Sequence, residues 1–304
     1  MDVRDDLRDA TELAEWTLGP RIGQGGMGVV YQATAVESGA ERAIKFVPLQ
    51  AVPDPIADAR IRREIDSSLS LSRETVVRAF TGGRTGSTYF LVMELCRGGN
   101  LADLVARDGP LPADRAVPVL LDVLDGLAHA HAVSVPVTTS RGVISAVGLV
   151  HRDVKPQNIF VAPPGGGRAK VGDFGLAKAF ATAGLSGLTR TGAVAGTPAF
   201  MPRQQVLDYR EAPPAVDVWA AAASAYFTLT GRYPRDFPPG RSPWRVVWDT
   251  RVVPIAERGV PVPPALGAVL DGALADEEDE LAYAGADALR SAVIAACRAD
   301  GVSW

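Results

Sequence analysis

With 304 residues, 47% hydrophobic and 22% charged, the chain is long enough for one two-lobed domain with a substantial core, and its composition is that of a globular protein. A formal net charge of -4 argues against nucleic acid as the main partner, and two distant cysteines, Cys96 and Cys297, argue against a disulfide framework and for a reducing compartment. Met1 to Glu15, charged at Asp2, Arg4, Asp5, Asp6, Arg8 and Asp9, lacks the apolar stretch of a signal peptide, and no apolar run reaches membrane-helix length, so a cytoplasmic chain without membrane contact is expected.

Residues 1–15 read as a charged extension. From Trp16 onward the pattern favours strands: Val29-Val30-Tyr31, Arg42 to Val47 and Tyr89 to Met93 are short β-prone runs. Between them Ile61, Ile65 and Leu69 recur at spacing four, which predicts a helix over Asp58 to Leu71. After Arg97-Gly98-Gly99-Asn100 the character changes, and helices are expected over Leu101 to Ala106 and Ala113 to Ala130. Ile159-Phe160-Val161 and Lys170-Val171-Gly172 read as strands flanking a turn at Pro163 to Gly167. Val216 to Thr230, Pro264 to Ala275 and Asp287 to Arg298 again read as helices. A small sheet-rich lobe, 16–96, therefore precedes a larger helical lobe, 97–304, an α+β arrangement.

Gly23-Gln24-Gly25-Gly26-Met27-Gly28 is a glycine-rich turn between β-prone segments, where backbone N–H groups can approach phosphate oxygens with no Cβ in the way. The same pattern occurs in dinucleotide folds and plain hairpins, but a dinucleotide fold needs a helix next, and Val29-Val30-Tyr31 is strand-like. Lys45, in Ala43-Ile44-Lys45, could be an edge charge; Glu64 on the following helix gives it a partner, and the ammonium could then meet α- and β-phosphates. Glu74 is a poorer partner, in a loop past the helix. His151-Arg152-Asp153-Val154-Lys155-Pro156-Gln157-Asn158 places a base, a cation and a metal ligand at close spacing. Asp153 can accept a hydroxyl proton, Lys155 can steady a transferring phosphoryl group, and Asn158 can ligate a metal. Asp173-Phe174-Gly175 follows with a carboxylate suited to Mg²⁺ between phosphates. His129, His131 and Cys96 lack further ligands at metal spacing and read as caps or packing groups.

Taken together, these segments resemble the eukaryotic-like (Hanks-type) serine/threonine protein kinases of bacteria, over residues 16–298. Gly196 to Met201 resembles the family's substrate-positioning loop, Asp217-Val218-Trp219 the start of its large helix, and Leu229 to Pro234 that helix's end. The resemblance implies a bilobal kinase fold with ATP and Mg²⁺ (or Mn²⁺) in the cleft and protein substrates. A phosphatase or a phosphothreonine-binding protein would be further partners. It implies a Lys45–Glu64 ion pair, Asp153 as base, and Asn158 and Asp173 as metal ligands. Gly23, Gly25 and Gly28 would cover the phosphates. Met93 would stand as gatekeeper, with Glu94 and Cys96 offering backbone groups to adenine, Val30 and Ala43 above the base and Phe160 below. Arg152 would form an anion pocket for a phosphorylated loop, with Thr189 and Thr191 as the modified residues.

Two departures stand out. The segment from His131 to Gly148 is longer than the family's, and alternating Val133, Val135 and Val137 suggest a surface hairpin. Gln204 stands where the family has a glutamate, and Ala282 where its arginine partner is expected, so both charges of a buried pair are missing. A catalytically silent scaffold and a small-molecule phosphotransferase are the rival readings. The joint presence of Lys45, Glu64, Asp153, Asn158 and Asp173 opposes the first, and Arg152 with Lys155 opposes the second.

Overall fold

The computed structural model describes residues 13–25, 28–48, 61–62, 65–86, 88–139, 142–163, 166–174, 198–207, 212–276 and 280–304. An antiparallel five-stranded sheet comes first: β1 (Trp16–Gly25), β2 (Gly28–Ala35), β3 (Glu41–Pro48), β4 (Ala79–Thr85) and β5 (Thr88–Met93), in the order β1-β2-β3-β5-β4. Every residue of β5 is buried, which explains its unbroken apolar run. Side chains alternate across a strand. Phe90 and Val92 accordingly join Leu13, Tyr31, Ile44 and Phe46 on one side, while Tyr89 and Leu91 meet Val47, Ile61 and Ile65 on the other. The helix carrying Ile61 and Ile65 is described at 61–62 and 65–69. Leu13, read from sequence as part of the charged extension, packs into the first of these clusters.

The second lobe is built around α4 (Ala215–Thr230), whose residues Val216 to Tyr226 are all buried. A helix apolar on every side belongs at the centre of a core. Packed with it are α2 (Ala113–Ala132), α6 (Pro264–Ala273) and α7 (Ala286–Ala299); α1 (Leu101–Asp108), α3 (Arg203–Leu207) and α5 (Pro243–Asp249) complete the lobe. Asn100 caps α1, its side-chain oxygen accepting the Asp103 N–H at 2.9 Å. α1 runs two residues past the expected Ala106 because the next residue able to stop it is Gly109, at φ 81°. α6 ends at Ala273 rather than at Ala275. Among the described residues no helix is long and apolar enough to cross a membrane.

The long segment after α2 is a hairpin, β6 (Ser134–Thr139) with β7 (Gly142–Val147). Gly148 N–H donates to Val133 O at 2.9 Å and Leu149 N–H to Ala130 O at 2.8 Å. The chain thus returns beside the end of α2 before it runs on to His151. β8 (Ile159–Phe160) and β9 (Lys170–Val171) form a short pair under the sheet lobe, each shorter by one residue than expected. Val171 bridges to Val76, and Phe160 to Asn100.

A polar contact ties the segment before β4 to α2. Arg73 binds Asp125 through both ends of its guanidinium, at 2.9 and 2.6 Å, and Thr75 Oγ1 donates to the same carboxylate at 2.7 Å. The Arg73 hydrogen bond, with help from Thr75 and against burial, holds the Asp125 carboxyl at about 2. The folded state therefore prefers the ionised carboxyl, so this stability is full above pH 4 and is lost as pH falls towards 2. Arg73 is half exposed, so solvent screens the pair and its contribution is modest. Asp125→Asn should be modestly less stable than wild type in urea unfolding at pH 7, and the gap should narrow as pH falls from 4 through 2. A gap that persisted unchanged in acid would locate the effect elsewhere.

Candidate active site

Between the lobes lies a cleft of about 560 Å³, and one end of it is apolar. Ala43 on β3, Val77 and Met93 at the end of β5 are buried together, with Val30, Leu95, Cys96 and Phe160 packed against them. Antiparallel register sets Ala43 opposite Met93, and the Asn100–Phe160 bridge brings the floor of the slot under its roof. The linker is fixed by polar contacts. Glu94 N–H donates to Arg78 O at 2.8 Å, and its carboxylate meets Lys170 Nζ at 3.0 Å. Gly98 lies so close to the chain after β8 that an added Cβ would come within 2.0 Å of Val161 O. Burial first, then Glu94, pushes the Cys96 thiol up to about 12, so this side chain acts as an apolar wall and not as a nucleophile.

The other end of the cleft is polar. Gly23, Gly25 and Gly28 line it where β1 turns into β2. Gly28 sits at φ 140°, and a Cβ there would stand 2.0 Å from Phe46 O, so only glycine lets β2 pass β3 at this point. Lys45, 5% exposed, reaches from β3 to the Asp173 carboxylate at 2.9 Å. Burial alone would raise the Asp173 carboxyl; Lys45, with His151 and Lys155 beyond it, overrides burial and holds it below the ordinary value. Asp173 takes φ 63°, a left-handed backbone that non-glycine residues rarely adopt.

Asp153 is buried at the cleft edge. Lys155 Nζ contacts both of its carboxylate oxygens, at 2.9 and 2.8 Å. Asn158 Nδ2 donates to Asp153 O at 2.8 Å and to its carboxylate at 3.2 Å. With that nitrogen so engaged, the amide oxygen is the atom through which Asn158 can ligate a cation. His151 accepts the Asp153 N–H at Nδ1 (3.2 Å) and donates from Nε2 to Gly172 O (2.8 Å), a pairing that the neutral Nε2–H tautomer satisfies. Its ring lies 4.6 Å from that of buried Phe174.

Beneath this loop sits Asp217, fully buried at the first turn of α4. Its carboxylate accepts the backbone N–H groups of His151 and Arg152, both at 2.7 Å, and lies 2.8 Å from His131 Nε2. These bonds hold Arg152 at φ 65°. Gln205 adds a bond from Nε2 to Arg152 O at 2.7 Å. His131, expected as a cap or packing group, is thus a partner of a buried carboxylate.

The structure gathers Gly23, Gly25, Gly28, Val30, Ala43, Lys45, Met93, Glu94, Cys96, Asp153, Lys155, Asn158, Phe160 and Asp173 around one cleft. Glu64, Thr189 and Thr191 lie outside the described residues. Sequence reasoning missed Ile22, Val77 and Leu95, which complete the apolar slot. Ile22 carried a signal, being an apolar residue directly before the glycine turn. The expected pairing of positions 204 and 282 is corrected: Ala282 is exposed, while the partly buried Gln204 donates from Nε2 to Asp276 O at 3.3 Å.

The family described as "Protein kinase domain" matches residues 16–242. Serine/threonine-protein kinase PknL of Mycobacterium bovis is 35% identical over 232 residues, covering 76% of this chain and 53% of PknL. Serine/threonine-protein kinase PknB of Mycolicibacterium smegmatis is 31% identical over 275 residues, covering 87% of this chain and 40% of PknB. The chain thus spans about half the length, or less, of these curated relatives. The crystal structure of the Mycobacterium tuberculosis PknI kinase domain superposes with a TM-score of 0.67 at 20% identity, over 93% of this chain and 96% of that one, and supports the bilobal fold. By family match, relatives and fold, the chain belongs to the protein kinase family, among the Hanks-type serine/threonine kinases of bacteria.

Proposed function

We propose that the chain transfers the γ-phosphoryl group of ATP to serine and threonine hydroxyls of protein substrates. The observation that carries this reading is the convergence of Lys45, Asp153, Asn158 and Asp173 on the polar end of a cleft whose other end is a flat apolar slot. The slot suits an adenine ring, between Val30 and Ala43 above and Phe160 below. The Glu94 carbonyl and the Cys96 N–H are the linker groups that would meet the edge of the base. Lys45 orients the α- and β-phosphates as a fixed positive charge. The hard oxygens of Asp173 and Asn158 fit a divalent cation, Mg²⁺ or Mn²⁺, which when bound offsets charge on the phosphates. Asp153 takes the proton of the incoming hydroxyl, and Lys155, already at its carboxylate, offsets charge on the group in transit. Asp217 holds the loop that carries both.

The reading extends to activation. Arg152 NH2 reaches only Ala212 O, at 3.4 Å, and its buried Nε has no hydrogen-bond partner among the described residues. A guanidinium in that condition beside the base fits a phosphothreonine, and we assign that role to Thr189 and Thr191, modified by the chain itself. Incubation with Mg²⁺ and ATP should then add phosphate to the intact chain, with peptide mapping placing it on these two threonines. Thr189→Ala/Thr191→Ala and Arg152→Ala should lose peptide phosphorylation to a similar extent. Phosphate found only elsewhere, with full activity in the double variant, would remove the assignment. No phosphate transfer of any kind by the unaltered chain would remove the kinase reading itself.

A further inference from the structure

The family's buried pair between positions 204 and 282 is absent, yet the same region of the lobe holds a different one. Arg235, just beyond the end of α4, donates to the Asp276 carboxylate at 2.5 Å, and the two side chains are each 1% exposed. Charges so deeply buried persist only where further hydrogen bonds satisfy them. Arg235 Nε donates to Thr250 O at 3.1 Å, and its guanidinium lies 5.3 Å from the Trp219 ring. The same Asp276 oxygen accepts the backbone N–H of Arg203 at 2.9 Å, and the Asp276 carbonyl accepts from Gln204. Arg203 then turns its side chain onto Val247 O (3.1 Å) and Thr250 O (2.8 Å).

These contacts converge on one stretch of chain. Arg203 begins α3, one residue beyond Pro198 to Met201, the described part of the loop that resembles the family's substrate-positioning segment. Two residues later, Gln205 bonds the carbonyl of Arg152, the neighbour of Asp153. Asp276 therefore grips the backbone between the substrate loop and the catalytic loop.

We propose that Asp276, held in place by Arg235, is a positioning residue for protein-substrate binding. It anchors the start of α3 with the carboxylate on the segment after α6 and the cation after α4, a different division of the charges from that expected at 204 and 282. This rests on the kinase reading above, and its test keeps the two apart. Removing one charge alone would leave the other buried and unpaired, so Asp276→Leu is combined with Arg235→Leu, which leaves an apolar pocket of similar volume. Three quantities are measured on the folded double variant: the KM for ATP, the rate of ATP hydrolysis to water, and the KM and kcat for a serine-containing peptide.

The expected result is an unchanged KM for ATP, unchanged hydrolysis, and a peptide KM raised by about ten- to a hundred-fold, because loss of the Arg203 anchor shifts the loop that orients the peptide. Unchanged peptide kinetics would overturn the proposal. An equal fall in hydrolysis and peptide transfer would also overturn it, by showing a role in the fold alone. In the unaltered chain the Arg203 amide should be strongly protected from hydrogen exchange; rapid exchange there would overturn the anchor even if the double variant failed to fold. Absence of hydrolysis and transfer in the unaltered chain would count against the kinase reading instead.

Discussion

Asp153→Asn should keep the melting behaviour of the unaltered chain and lose phosphoryl transfer by about a hundred- to ten-thousand-fold. The substitution preserves shape and retains one oxygen for Lys155 and Asn158, which contact the carboxylate at 2.8 to 3.2 Å. What disappears is the negative charge and the basic oxygen. A hydroxyl approaching the γ-phosphate then has no group to take its proton, and Lys155 is no longer drawn to this spot by an opposite charge. Binding of ATP should survive, since Lys45 and the apolar slot are untouched. The measurement is γ-phosphate transfer to a peptide alongside nucleotide affinity. Near-normal transfer by the purified variant would refute the role given to Asp153, and weakened nucleotide binding would show that the residue acts before the chemical step.

Asp217→Ala should be the most destabilising single change near the site. It leaves the buried His151 and Arg152 N–H groups and the His131 ring without their acceptor. Each buried unsatisfied donor costs about 1–3 kcal/mol, although the three are not additive. Release of Arg152 from φ 65° relieves about 1–3 kcal/mol of backbone strain and returns part of the loss. A net loss of about 3–5 kcal/mol is expected, a large share of the stability of an ordinary domain. In melting temperature this is a fall on the order of 10 °C. Asp217→Asn, which keeps one acceptor, should lose less. Both variants should lose activity even at temperatures where they remain folded, because the loop no longer holds Asp153 under the nucleotide cleft. Denaturant unfolding of the two variants decides the matter; a loss under about 1 kcal/mol for alanine would mean that water replaces the carboxylate.

Chemistry packed into one contiguous segment was open to reading from the amino acids. His151 to Asn158 is a single loop, so the spacing of Asp153, Lys155 and Asn158 is set by a few backbone angles, and the structure brings all three to the cleft edge. The strands and helices were legible for a similar reason: the short β-prone runs of β3 and β5 and the four-residue spacing of Ile61, Ile65 and Leu69 are properties of contiguous segments. The extra length before the catalytic loop could also be read as a hairpin, because alternating valines followed by a turn have few other solutions. Contacts between distant segments belonged to the tertiary structure alone. Asp217 read only as the start of a helix, and nothing local joined it to His131, 86 residues earlier. Asp276 gave no sign of meeting Arg235 and Arg203, 41 and 73 residues away, and the family resemblance instead suggested a pairing through Ala282. The physical reason is that a buried charge is tolerated wherever packing happens to bring a partner, and packing is set by the apolar faces of α4, α6 and α7 together. A periodic pattern states which face of an element is buried; which polar group it meets there depends on how the other elements pack around it.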